Sequence, residues 1–335
     1  MANGDRCFDD ATLIGARLRV TDPYAAPGYV RARPNEVAPP VIVAEYDLTP
    51  PGGKKANPDA PMVWCAKCQE ENHWLGLVIS VGDKAHSIGH ECAAKHYGAT
   101  FAGVRRDFNE RRKRQGLLTR LAELRINEAP LSSAIQSILT SDGLASIDKK
   151  RNEIKSAAPN AFLSLQGAVM SGEGLAEYVS VRDLAAEQRR DERRDKSGDP
   201  IYTQERQALG SLAGASLIRE RDDARARLLK LKTAIAQALA IARTGTTSIT
   251  TVEMTRAIVA LDKAHRDATS AIADAERAHE FFGEANGQRL HRWAAHRSGF
   301  AIKWHPNRLE FDHRNKGTSS VAALTRLTFP ELPKA

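Results

Sequence analysis

Short runs rich in apolar residues occupy the first part of the chain. The stretches "ATLIGARLRV" (11–20) and "VIVAEYDL" (41–48) are such runs and are separated by connectors rich in proline and glycine. Short apolar runs bounded by such connectors are typical of strands. We therefore predict a β-rich segment over residues 1–61.

The pattern changes after residue 100, where Ala, Leu, Arg and Glu dominate and the apolar residues take the three- and four-residue spacing of helices. Two long apolar seams follow, one from Leu217 to Ala242 and one from Met254 to Phe282. Thr250 and Glu253 have the spacing of a capping box at the start of the second seam. Two such helices joined by a short polar loop predict an antiparallel hairpin with coiled-coil packing.

Apolar and polar residues alternate near the end of the chain, in "GFAIKWHPNRLEFDH" (299–313), which predicts a β-hairpin that turns at "HPN". The predicted fold class is therefore mainly α, with a small β-rich N-terminal zinc domain, a long helical hairpin in the C-terminal half and a short C-terminal β-hairpin. A soft boundary is expected at "KSGDP" (196–200), because Gly and Pro work against helix. The predicted segments are a β-rich lead-in at 1–61, a zinc-binding knuckle, hairpin and helix at 62–100, a basic helical region at 101–195, the helical hairpin at 200–297 and a β tail at 298–335.

Residues 64–98 hold three of the chain's four cysteines and four of its ten histidines. Two cysteines with two residues between them, as in "CAKC", supply half of a tetrahedral zinc site from one tight turn. The following segment predicts two strands around Gly82 and Asp83, and then a helix that ends at Gly98. The predicted zinc ligands are Cys65, Cys68, Cys92 and His96, with His90 as the alternative fourth ligand and with His86 and His73 left open.

The order of knuckle, hairpin and ligand-bearing helix resembles the treble-clef class of zinc fingers over residues 62–100. The resemblance is carried by Cys65-Ala66-Lys67-Cys68 and by Cys92 with His96, and it implies a structural zinc ion. In that class the second pair of ligands usually has a closer, CxxC-like spacing on the helix. The departure from that spacing leaves the fourth ligand open.

Other roles for the cysteines agree less well with the sequence around them than a structural zinc site does. A thioredoxin-like redox pair needs a βαβ setting in which the motif opens a helix, whereas "CAKCQEENHW" leads into strands. A deaminase-type catalytic zinc needs the spacing His-x-Glu, but His90 and Glu91 are adjacent. Burial of Cys65 and Cys68 as small apolar residues would leave the nearby third cysteine unexplained. We therefore expect zinc in a structural role and predict no catalytic residues.

The chain carries 49 Lys and Arg against 41 Asp and Glu, for a net charge of +8. Between Phe101 and Arg125, eight basic residues face three acidic ones, so most of the excess lies in one helical stretch. Arginines along a helix can contact successive phosphates. A second basic stretch, 289–316, has aromatic residues interleaved, and aromatic side chains can stack on unpaired bases. The predicted nucleic-acid-binding residues are Arg105, Arg106, Arg111, Arg112, Lys113 and Arg114.

The sequence thus predicts a non-enzymatic, zinc-stabilised nucleic-acid-binding protein, with DNA ahead of RNA, whose helical hairpin acts in oligomerisation or as a scaffold. An alternative is a structural or adaptor protein whose zinc domain and hairpin bind proteins. A weaker alternative is a metal-dependent nuclease that uses His305 or His313. Few cysteines, no apolar leader and no run of about 18 apolar residues predict a cytoplasmic protein without a membrane partner.

Overall fold

We analysed a computed structural model of the chain. It describes residues 13, 16–34, 39–172, 174–192, 199–219, 223–243, 249–297, 299–313 and 317–335. These residues fall into two compact units, each built from two stretches of chain. Unit 1 comprises Met1–Arg125 and Gln237–Val259, and unit 2 comprises Ile126–Ala236 and Ala260–Ala335.

The strands of unit 1 form a three-stranded antiparallel sheet in the order β1, β4, β5 and a small two-stranded ribbon of β2 and β3. Their bounds are β1 Val41–Asp47, β2 Val63–Trp64, β3 Glu71–His73, β4 Leu75–Val81 and β5 Lys84–Gly89. The predicted hairpin is confirmed, since Val81 pairs with Lys84 across the turn. Gly82 takes a φ of 66° there, which glycine adopts without strain. The predicted strand at 41–48 is β1, whereas the described residues of 11–20 form only an isolated bridge from Arg19 to Glu45.

Helix α1 is one turn, Gly53–Ala56, and helix α2 spans His90–Thr140. Gly98 interrupts α2 with a φ of 52° and a ψ of −130°, so a first segment of about two turns carries Cys92 and His96 and a much longer segment follows. Phe101 and Phe108 of the second segment pack with Leu77 and Ile79 of β4 in one core. The basic helix is therefore held against the sheet through its apolar face.

The helices of unit 2 are mostly those that the periodicity predicts. They are α3 Asp142–Ala157, α4 Pro159–Ser171, α5 Leu184–Glu192 and α8 Glu284–Ala295, while α2, α6 Ala224–Arg243 and α7 Thr251–Glu276 contribute to both units. The capping box is confirmed, because Glu253 N donates to Thr250 Oγ1 at 3.2 Å and Thr250 N donates to Glu253 Oε2 at 2.9 Å. Arg227 of α6 pairs with Asp267 of α7 at 3.0 Å. The apolar seam residues are buried, among them Leu228, Leu231, Ile235, Met254, Ile258, Leu261 and Ile272.

Two antiparallel sheets complete unit 2. The C-terminal sheet has the order β10, β9, β8, with bounds β8 Ala301–His305, β9 Arg308–Asp312 and β10 Thr318–Ala322. Strands β8 and β9 are the predicted hairpin. The other sheet pairs β6 Leu175–Arg182 with β7 Tyr202–Gly210. The prediction of helix up to residue 195 is wrong for β6, because the alternating, β-branched "YVSVR" favours a strand and β7 supplies its partner. Parts of "KSGDP" and of the loop between α6 and α7 lie outside the described residues.

Candidate metal centre and basic helix

The three clustered cysteines come together in unit 1. Cys65 and Cys68 lie on the turn after β2, and Cys92 lies on the first turn of α2. Their sulfur atoms are all within 4.8 Å of one another, and the Sγ atoms of Cys68 and Cys92 are 3.0 Å apart. In a tetrahedron with Zn–S bonds of about 2.3 Å, sulfur atoms lie about 3.8 Å apart. Three cysteines on two elements therefore lie close enough together to hold one metal ion, although the Cys68 and Cys92 sulfurs are closer here than in a zinc tetrahedron.

The turn that carries Cys65 and Cys68 is shaped by backbone hydrogen bonds. Cys65 N donates to Glu70 O at 2.8 Å, and Gln69 N donates to Cys65 O at 2.8 Å. Gln69 has a φ of 64°, a left-handed conformation that is uncommon outside glycine. Ala66 N also donates to Ser87 O of β5 at 2.8 Å. The hairpin thus fixes the turn, and Gly89 at the end of β5 leads directly into the helix with Cys92.

The pKa values of the Cys65 and Cys92 thiols are also consistent with a bound cation at this cluster. Burial alone would raise the pKa of Cys65, but the backbone N–H groups of Cys68, Gly89 and Lys67 bring that pKa below its usual range. Burial, the Cys68 thiol and the charge of Cys65 raise the pKa of Cys92 to about 12. One sulfur is therefore stabilised as a thiolate at the expense of its neighbour. A bound divalent ion would remove this conflict, because it favours the ionised form of every thiol that coordinates it.

The predicted fourth ligand, His96, does not join the three sulfurs. No histidine nitrogen or carboxylate oxygen of the described residues lies within 4.8 Å of all three sulfurs. The ring of His96 packs edge-on to Tyr97, with centroids 4.5 Å apart, and His96 remains the predicted fourth ligand. His90 lies 3.6 Å from Glu45 and also contacts Arg105.

The two other histidines near the cysteines bond elsewhere in unit 1. His73 Nε2 is 2.6 Å from the Tyr46 hydroxyl. His86 Nδ1 is 3.0 Å from Ala32 O, and its ring is buried. Cys65, Cys68 and Cys92 therefore form the core of the candidate site.

The six predicted nucleic-acid-binding residues separate into two groups. Arg111 donates to Ile42 O at 2.8 Å, and Arg114, which is 7% exposed, donates to Ile249 O at 2.8 Å. Arg105 and Arg112 are both ion-paired with the carboxylate of Glu45 on β1. These four guanidinium groups bind other parts of unit 1, and the sequence gives no signal of this because Glu45 lies about 60 residues earlier.

Arg106 and Lys113 form the second group. Both are exposed, and neither forms a hydrogen bond or ion pair with another described residue. They are seven residues apart, so they lie on one face of the helix about 10.5 Å apart along its axis. We call this pair, with the helix surface between the two residues, the outer basic face. Positive charge is available to a partner there.

The second basic stretch does not present its aromatic rings to solvent. Trp293 and Phe300 are buried in unit 2, and Trp304 donates its indole N–H to Phe282 O at 2.6 Å. The rings of Trp293 and Phe300 therefore pack in the core of unit 2 and offer no face to an unpaired base. Arg314 and Lys316 of this stretch lie outside the described residues.

The histidines considered for a nuclease lie at the C-terminal sheet, and the buried His305 Nε2 forms no hydrogen bond with a described residue. His305 Nε2 is 3.5 Å from Glu310, and His313 Nε2 is 3.0 Å from Ser319 Oγ. Neither belongs to a group of three metal donors in the part of the chain that the structure describes.

In the same part of the chain, no helix combines the length and the apolar character needed to cross a bilayer. Compared with known protein families, with curated proteins and with solved structures, the chain matches none.

Proposed function

We propose that this chain is a zinc-stabilised nucleic-acid-binding protein without catalytic activity, with DNA ahead of RNA as the ligand. One observation carries the proposal: the helix that is tied to the three-cysteine cluster at its first turn also carries two exposed basic residues without partners. Zinc would hold the start of that helix on the hairpin, and the outer basic face would contact phosphates.

Zinc suits this donor set better than the other common metals. Thiolates favour Zn²⁺ or iron–sulfur clusters, whereas Mg²⁺ and Ca²⁺ take oxygen ligands. In the treble-clef interpretation, Cys65, Cys68 and Cys92 provide three ligands and His96 provides the fourth. The ion would act by joining the turn, the hairpin and the helix, since a structural zinc contributes its binding energy to folding.

The outer basic face is open to a phosphate backbone. Gly103 and Gly116 flank Arg106 and Lys113 on the helix, and a Cβ atom added at either glycine would meet no atom within 4 Å. The lack of side chains at these positions allows another backbone to approach closely. Each phosphate contact releases counterions, so binding should weaken as salt rises, with a slope of about 0.9 per contact on logarithmic scales.

The test combines a metal assay with binding measurements. We expect one zinc per chain by elemental analysis, and gel shifts with single- and double-stranded DNA and RNA at two salt concentrations should show salt-sensitive retention. The R106E/K113E double variant should lower affinity by at least about tenfold and reduce the salt slope by about 2. The matched control is K263E/R266E, which makes the same charge change at exposed positions of α7.

Equal binding by the two double variants would refute a role for the outer basic face. Absence of retention at low salt for all four nucleic acids would refute nucleic-acid binding altogether. A zinc content near zero would refute the structural zinc but would not test nucleic-acid binding.

A second candidate function is that of an adaptor or scaffold, through the helices α6 and α7. Leu229 of α6 and Val259 of α7 are 50% and 59% exposed, so each side chain offers apolar surface to a partner. In this alternative these side chains contact a second copy or another protein. Light scattering coupled to size exclusion should then show an oligomer that L229K or V259K dissociates, whereas a monomer at every concentration would refute self-association.

A further inference from the structure

Unit 2 contains a cleft of about 590 Å³ that the proposed function does not use. Helix α4, strand β6 and the C-terminal end of α8 contribute its walls. Binding sites for small organic molecules usually have volumes of about 300–1,000 Å³. The cleft is therefore large enough for a ligand of that class.

Two buried aromatic rings lie beneath the cleft. Trp293 and Phe300 are 1% and 4% exposed and support its base, and their ring centroids are 5.7 Å apart. The guanidinium carbon of Arg297 lies 4.7 Å from the centroid of the Trp293 ring, a distance at which a cation is attracted to the face of an indole. The indole thus holds Arg297 in place at an apolar surface, while the side chain of Arg297 stays exposed.

The polar groups of the cleft favour an anion. Arg297 forms no ion pair with a carboxylate among the described residues, and His296 beside it is also exposed. No acidic residue is among the described residues that line the cleft. Glu177 of the adjoining strand interacts electrostatically with His296, but its carboxylate is already bonded by two nitrogens of Arg292. A negatively charged ligand would therefore be attracted to this end of the cleft.

The opposite walls can recognise a planar, polar ring. Tyr178 lines the cleft and is 47% exposed, so its ring is available for stacking. Asn160 and Ser164 lie one turn apart on α4, and neither side chain has a partner among the described residues. An amide offers both a donor and an acceptor and a hydroxyl offers either. This combination matches the edge of a nucleobase or the hydroxyl groups of a ribose.

We propose that this cleft binds a nucleoside monophosphate unit. The base stacks on the exposed ring of Tyr178, Asn160 and Ser164 bond the base edge or the sugar, and Arg297 and His296 bind the phosphate. A free nucleotide and a nucleotide within a single strand share this chemistry. The site lies entirely in unit 2 and depends on neither zinc nor the outer basic face. An experiment can therefore refute this proposal without refuting the proposed function, and the reverse.

The test is titration calorimetry of the full-length protein with adenosine monophosphate, adenosine, inorganic phosphate, benzoate and an eight-residue oligothymidylate. We expect adenosine monophosphate to bind with a Kd below about 1 mM and adenosine to bind about tenfold more weakly, since it lacks the charged group. Inorganic phosphate and benzoate should bind more weakly than the nucleotide. Tighter binding of the oligonucleotide than of adenosine monophosphate that persists in R106E/K113E and is lost in R297Q would identify a strand as the source, and the reverse order of affinities would identify a free nucleotide.

Two exposed positions allow variants that leave the core intact. R297Q should weaken adenosine monophosphate binding by at least about tenfold and leave adenosine unchanged, and Y178A should weaken both by about five- to tenfold. The matched control is R308Q, which removes an exposed arginine of β9 outside the cleft and should bind like the wild type. Absence of binding up to about 1 mM, equal binding of benzoate, or unchanged nucleotide affinity in both R297Q and Y178A would overturn the proposal.

Discussion

Replacement of Arg151 by methionine tests a buried charge of unit 2. The Arg151 side chain is 9% exposed and pairs with Asp148 at 2.8 Å. It also donates to the carbonyl oxygens of Leu217 at 3.1 Å and of Ser216 at 3.3 Å. One guanidinium therefore joins α3 to the turn that precedes α6.

The size of the effect follows from what the substitution leaves without a partner. Methionine keeps most of the volume of the arginine stem, so little cavity energy is lost. The buried Leu217 carbonyl and the half-buried Ser216 carbonyl lose a donor, at about 1–3 kcal/mol for a fully buried group. The carboxylates of Asp148 and Asp223 are 40% and 25% exposed, so water can replace their lost partner. We expect a loss of about 2–5 kcal/mol, which lowers the Tm of unit 2 by about 5–15 °C.

Arg225→Met provides a matched control. Arg225 is 42% exposed, lies 3.7 Å from the same Asp148 carboxylate and has one long contact with a backbone carbonyl, that of Leu139 at 3.4 Å. An exposed ion pair contributes about 1 kcal/mol or less, so this control should shift the Tm by only a few degrees. Both variants remove one positive charge, and scanning calorimetry measures both. If R151M lowers the Tm no more than R225M does, the carbonyl contacts do not stabilise unit 2 and the reasoning fails.

Three further predictions concern packing, pH and metal. Gly287→Ala should destabilise unit 2 by at least about 1–3 kcal/mol in thermal unfolding, because its Cβ would lie 2.2 Å from Cγ of Trp304. Gly167→Ala, where the Cβ meets nothing within 4 Å, should be neutral or stabilising. Burial lowers the pKa of His73 to about 4, so the folded state binds this proton less readily than the unfolded state. The free energy of unfolding should therefore fall as the pH drops from about 6.5 towards 4, and NMR titration should show His73 still neutral at pH 5.5. A strong chelator should lower the melting temperature of unit 1 and leave that of unit 2 unchanged, and Cys65→Ser should give the same result without chelator.

Local spacing was sufficient to predict several elements. The hairpin at Gly82, the capping box at Thr250 and the buried seams of α6 and α7 depend on residues within a few positions of one another. The convergence of Cys65, Cys68 and Cys92 follows from such elements in series, because a turn, a hairpin and a helix start are each short. The spacing of residues in the sequence predicts such local elements well, because only a few backbone conformations place the spaced residues correctly.

Long-range packing determined what the sequence could not show. Eight basic residues between Phe101 and Arg125 look equivalent in the sequence, but the helix places Phe101 and Phe108 against the sheet and turns Arg105 and Arg112 towards Glu45. Only after this packing do Arg106 and Lys113 remain exposed without partners.

The hairpin of β6 and β7 and the cleft at Tyr178 depend in the same way on residues far apart in the chain. The cleft joins residues of α4 and β6 to Arg297, more than a hundred positions later. The sequence by itself determined which residue types are present and how they repeat. The tertiary structure decided which of them are neutralised and which remain available, because burial and pairing depend on contacts between distant segments.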